Sequence, residues 1–126
     1  DESVRLVNSF VDSVKTTRKY GLGWMFITQT VSSLNREITE QLRLNAFGYG
    51  LTTGIELNRL RELISDDSAL KLYRSFVDPQ VIEPRQYSFM ITGPASPLSF
   101  TGAPLFLNVY NDFKLFEANN STFFPK

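Results

Sequence analysis

Neither cysteine nor histidine occurs anywhere in the 126 residues. Without them there are no disulfides, no thiol nucleophile, no imidazole acid–base chemistry and none of the usual transition-metal ligand sets. A Ser-His-Asp or Cys-His mechanism cannot be assembled from this chain. Net charge is also missing: 13 Lys and Arg balance 13 Asp and Glu. No bulk basic footprint therefore points to nucleic acid, and any such contact needs a local patch or several subunits. No apolar run reaches the roughly 20 residues that span a bilayer. No secretory leader opens the sequence, so a cytoplasmic setting is expected, and the sequons at Asn119 and Asn120 carry little weight. No glycine precedes a lysine, so the phosphate-cradling GxxxxGK[ST] loop is absent.

What is present is an ordinary globular balance, 42% hydrophobic and 21% charged, with eleven Phe that need a core or an interface to cover them. Such a length fits one small domain or a piece of one. The start at Asp1 rather than Met suggests that the protein continues upstream.

Val7, Phe10, Val11 and Val14 recur at helical spacing, which predicts a helix from about Glu2 to Lys19. Asp1 and Glu2 suit its positive end, and Arg18 and Lys19 its negative end. Gly21 is a left-handed stop. Trp24 to Thr28 (WMFIT) is continuously apolar and reads as a strand buried on both faces. Ser32 and Ser33 are candidate caps for a helix with Leu34, Ile38 and Leu42 as its stripe. A short strand over Ala46–Leu51 follows, and then a helix marked by Leu57, Leu60, Leu63 and Ile64. Asp66-Asp67 separates it from another helix over about Ala69–Phe76. Pro79 and Pro84 bracket a linker, Tyr87–Thr92 and Leu105–Tyr110 read as strands able to pair antiparallel, and Gly93–Pro104 is a turn-rich connector. The tail from Asn119 is expected to be loosely held.

Gln29 stands at the end of the WMFIT strand, where ligands bind in α/β proteins. A neutral amide there can orient a water or sense a phosphate; it can equally satisfy turn backbone. Arg18 and Lys19 can complement a helix dipole, or one of them can reach a neighbouring subunit's nucleotide, a task for which the planar, permanently charged Arg is better suited. Asp1-Glu2 can end an acidic Mg²⁺-binding motif, although helix capping explains it more simply. Gly48-Tyr-Gly50 with Gly54 imitates a dinucleotide fingerprint, but its third glycine comes one residue late, and close backbone packing accounts for it better. The Phe113, Phe116, Phe123 and Phe124 group is packing or a partner-docking element.

Taken in order, the RKYG turn, the WMFITQT strand with its terminal Gln29, the capped helix, the NAFGYGLT strand and the LNRLRELI helix resemble the C-terminal half of a HerA–FtsK-type core. These are RecA-fold P-loop ATPases that translocate DNA. The resemblance covers roughly the first 65 residues and rests on motif order. It implies a partial RecA-like α/β core, with parallel strands, flanking helices and a C-terminal antiparallel strand pair. Residues 1–112 would form that half-core and residues 113–126 a Phe-rich tail. It further implies Gln29 as the γ-phosphate sensor, Arg18 as a trans-acting arginine, and Thr28 and Lys19 beside the nucleotide. ATP and Mg²⁺ would belong to the whole parent protein, a hexameric ring on duplex DNA, and this portion alone would bind no cofactor or metal and be inactive. The strands over 24–28 and 46–51 would flank a missing strand, so they must pair directly or leave apolar surface open to self-association. The alternative is a non-catalytic α/β interaction or assembly module that uses its Phe-rich strands and tail.

Overall fold

The computed structural model describes residues 1–52, 54–95 and 102–123, the last of these without its side chain. Two compact units are formed, residues 1–43 and residues 44–126.

In the first unit, α1 runs Glu2–Thr16. The Asp1 carboxylate accepts from the Ser3 amide at 3.2 Å, so the leading acid caps the helix. A 3₁₀ turn, Thr17–Tyr20, extends it to Gly21, whose φ of +79° ends the helical path as expected. The second helix, α2 (Arg36–Gln41), is capped by Asn35, whose side chain accepts from the Glu37 amide at 2.8 Å. Ser32 and Ser33 are thus not its caps. The two helices pack together around Val11, Val14 and Ile38, with Lys15 Nζ 2.8 Å from Glu37 Oε2 across them. The expected strand at 24–28 does not form, because no neighbouring backbone pairs with it among the described residues.

The second unit is a three-stranded antiparallel sheet with helices. β1 (Asn45–Phe47), β2 (Gln86–Thr92) and β3 (Leu105–Tyr110) lie in that order. Phe47 pairs with Met90, and Met90 with Phe106. The β2–β3 pair is the antiparallel one expected from sequence. No parallel pair occurs among the described residues, and β1 covers only part of the expected 46–51 strand. Between β1 and β2 come α3 (Gly54–Leu63) and α4 (Asp67–Arg74), the latter capped by Asp66, which accepts from Ser68 at 2.9 Å and Ala69 at 3.4 Å. Leu60, Tyr73 and Met90 are almost wholly inaccessible, with Phe47, Ile64, Ala69 and Leu70 also buried. The Phe76 ring stands edge-on to both Tyr73 and Phe106, joining the end of α4 to β3.

Gly48 has little room for a side chain, since a Cβ there would lie 3.2 Å from the Phe89 ring. That close approach is the packing role expected for the glycine cluster, but it holds for Gly48 alone: a Cβ at Gly50 or Gly54 would meet nothing within 4 Å, and both take positive φ, +118° and +58°. Beyond β3, α5 (Phe113–Asn119), capped by Asp112, and a 3₁₀ turn at Ser121–Phe123 occupy much of the expected tail. The middle of the Gly93–Pro104 connector, residues 96–101, and Phe124 fall outside the described residues. Among the described residues no helix is long and apolar enough to cross a membrane.

Candidate functional site

The site follows from how α1 hands over to the segment after Gly21. Thr17 Oγ1 donates to the Ser13 carbonyl at 2.7 Å and accepts from Trp24 Nε1 at 2.8 Å. That bond ties the helix end to the segment seven residues later. The Trp24 ring meets Phe10 of α1 edge-on at 5.2 Å, and Phe26 meets Phe10 at 5.9 Å. Trp24 and Phe26 stack on each other, nearly parallel, at 6.2 Å. That separation is close to two strand steps of about 3.3 Å. The intervening and following residues face the other way: Met25 is 86% exposed and Ile27 91%. The segment therefore has the spacing and alternation of a β-strand. One face lies on a helix and the other is bare.

Its end is a compact hydroxyl cluster. Thr28 Oγ1 donates to the Thr30 carbonyl at 3.0 Å and accepts from the Thr30 amide at 3.3 Å. Thr30 Oγ1 donates to Ser33 Oγ at 2.8 Å, and Ser33 Oγ reaches the Thr30 carbonyl at 2.9 Å. Gln29 sits between the two threonines, exposed, and its carboxamide bonds to no described residue. It is not satisfying turn backbone, which was the plain alternative for a polar residue at this place; the hydroxyls do that instead.

Arg18 and Lys19 lie on the 3₁₀ turn, both exposed, and with Lys15 and Thr16 they line a shallow basic depression open to solvent. Lys19 Nζ stands 5.1 Å over the Tyr20 ring. Lys15 is held protonated above its ordinary range, first by its hydrogen bond to Glu37 and then by that carboxylate's charge. Thr28 and Gln29 do not line this depression. The structure groups Arg18 with Lys19 before the segment, and Thr28 with Gln29 after it. It does not gather all four into one pocket.

Three features escaped the sequence. The Thr17–Trp24 bond had no local signal. The T-x-T-x-x-S spacing from Thr28 to Ser33 is a readable cue for hydroxyls that close a turn. In the second unit, Tyr73 Oη donates to the Gly48 carbonyl at 2.6 Å and accepts from the Leu51 amide at 2.9 Å, clamping the chain as it leaves β1. Burial pushes this phenol's pKa above 10.0, opposed by the Leu51 amide and aided by Tyr49.

Among the described residues no group of three or more acidic side chains is placed to hold a metal ion. Comparison with protein-family models, with curated proteins and with solved structures found no match.

Proposed function

We propose that these residues are the C-terminal part of the core of a hexameric, ATP-driven DNA translocase or helicase of HerA–FtsK type, working in the cytoplasm. One observation carries the reading. The Trp24–Ile27 segment keeps strand spacing, docks one face on α1, bares Met25 and Ile27 on the other, and leads through Thr28 to Gln29, whose exposed carboxamide bonds to no described residue. An uncharged segment of this kind is what a central strand looks like when its sheet neighbours lie elsewhere, because parallel sheets are covered on both faces. A polar group at such a strand's carboxyl end is where nucleotide would be met. The RecA-like parallel core is then completed by strands outside the 126 residues.

ATP and Mg²⁺ do not fit this chain's own residues, which offer neither a phosphate loop in sequence nor an acidic cluster among those described. The parent supplies both. To nucleotide held there, Gln29 offers an amide that accepts from an attacking water and donates to a γ-phosphate oxygen, with Thr28 beside it. Arg18, on a separate turn with Lys19, serves the nucleotide of the adjoining subunit, where a guanidinium spreads its donors over a transferring phosphoryl group. The isolated chain neither holds nor hydrolyses ATP, and its bare strand makes it self-associate.

The test is the native gene product that contains these residues. It should carry GxxxxGK[ST] and hydrolyse ATP faster with duplex DNA, and Arg18→Ala subunits mixed into wild-type rings should lower turnover beyond their share. A gene product without a phosphate loop would end the reading. It would leave the second one, an assembly module, favoured by the exposed Phe113 and the uncharged β3 sequence LFLNVY at the sheet edge.

A further inference from the structure

The outer edge of β3 is open. Its ladder runs to β2 on one side, and among the described residues no backbone group of Leu105–Tyr110 bonds to anything else. The opposite margin of the sheet, β1, is only three residues long, a length that protects an edge from pairing. β3 instead offers six residues in unbroken register, with neither proline nor charge among them. Such an edge accepts another strand.

The composition of β3 indicates which strand. Phe106, Asn108 and Tyr110 share a face with their ladder partners Met90, Ser88 and Gln86, and Leu105, Leu107 and Val109 lie on the other face. Two copies of β3, laid antiparallel about a two-fold axis through Asn108, keep both faces continuous. Leu107 then meets Val109, Phe106 meets Tyr110, and Asn108 meets its own copy. Apolar opposes apolar and ring opposes ring, the pairs that stabilise sheets. Asn108 Oδ1 accepts from the Ser88 hydroxyl at 2.7 Å, which leaves a lone pair and the amide hydrogens for the second Asn108. Two-fold pairing sets a central charge against itself, so an uncharged strand is the kind that tolerates it. The nearest charge along the chain, Asp112, falls opposite Pro104 in this register.

We infer that β3 is a self-recognition edge, pairing with β3 of a second copy about Asn108 to make a six-stranded sheet. A contact of about five cross-strand pairs is small, below the roughly 1,200 Å² of stable complexes. The dimer is therefore weak, and it gains strength where a larger assembly holds several copies together. This surface needs no nucleotide and stands if the ATPase reading falls.

The test uses the chain carrying Met25→Thr and Ile27→Thr, so that the bare strand of the first unit does not contribute. Sedimentation equilibrium at sub-millimolar concentration should show a dimer. Adding Asn108→Asp keeps an acceptor for Ser88 but opposes two carboxylates, and should raise Kd at least about tenfold at neutral pH with the urea midpoint unchanged. Asn108→Thr, uncharged and suited to a strand, should leave Kd within about threefold. The chain has no cysteine, so Asn108→Cys supplies a single thiol. Opposed residues of an antiparallel pair have Cα atoms about 4.5–5.5 Å apart, within reach of a disulfide. That variant should oxidise to a covalent dimer faster than Leu105→Cys, whose two copies lie far apart in this register. A chain monomeric at every concentration would overturn the inference. So would a dimer indifferent to Asn108→Asp, or equal oxidation of the two cysteine variants.

Discussion

Replacing both Met25 and Ile27 with threonine should leave the stability of the isolated chain nearly untouched while weakening its association. Ordinarily, losing two large apolar residues from a strand costs several kcal/mol. Here their exposures of 86% and 91% mean that almost no buried area is lost when they shrink. Exposed substitutions of this kind change stability by about 0.5 kcal/mol or less. Threonine is β-branched, as Ile27 already is, and that shape suits a strand. In an associated state the same side chains are covered, and burying each contributes about 1.5–3 kcal/mol. Threonine retains a part of that, so the pair should lose about 2 kcal/mol of association energy, or roughly thirtyfold in Kd. Urea unfolding of the chain, with the slope checked for constancy, gives the first quantity. Sedimentation equilibrium over a concentration series gives the second. A stability loss above about 1 kcal/mol would mean that these side chains belong to the core of the free chain. A wild-type chain that stays monomeric throughout would remove the open-strand argument altogether.

The other perturbations address the second unit and its clamp. Tyr73→Phe removes one hydroxyl and leaves both the Gly48 carbonyl and the Leu51 amide without their partner, which should cost about 2 kcal/mol in urea unfolding and speed hydrogen exchange at Leu51. Because burial raises the phenol's pKa in the folded state, the unfolded chain ionises first as pH climbs past 10.0. Tyr73 thus contributes stability that is full below that pH and is lost above it, and Tyr73→Phe should flatten this part of the pH–stability profile. Asp66→Ala removes the cap of α4 and should destabilise by about 1 kcal/mol, with Asp66→Asn close to wild type.

Much of this architecture was legible from local pattern. The capping acid at Asp1, the left-handed stop at Gly21, the helices around Leu60 and Leu70 and the β2–β3 pair all rest on signals carried within a few residues. The misses share a different cause. WMFIT has the composition of a strand, but a strand needs partner backbone, and no local pattern says whether one is present; the segment kept its alternation and lost its ladder. Ser32 and Ser33 were plausible caps, yet Ser33's hydroxyl is engaged with Thr30 and Asn35 caps α2 instead. The α5 helix is only seven residues long, and its Phe113 and Phe116 were read as part of a tail although Asp112 stands at its start. Of the candidate site, residue identities were readable from sequence, and the hydroxyl cluster that frees Gln29 was not. That Lys15 and Thr16 join Arg18 and Lys19 in one depression, which Thr28 and Gln29 do not line, came only from the fold.

The proposed function turns on Gln29 facing the γ-phosphate of ATP held by the rest of its protein. The most direct measurement is DNA-stimulated ATP hydrolysis by the native gene product carrying Gln29→Ala. Turnover should fall about a hundredfold or more with nucleotide binding retained, the loss seen when one positioned polar group is taken from a transition state. Turnover equal to wild type would contradict it.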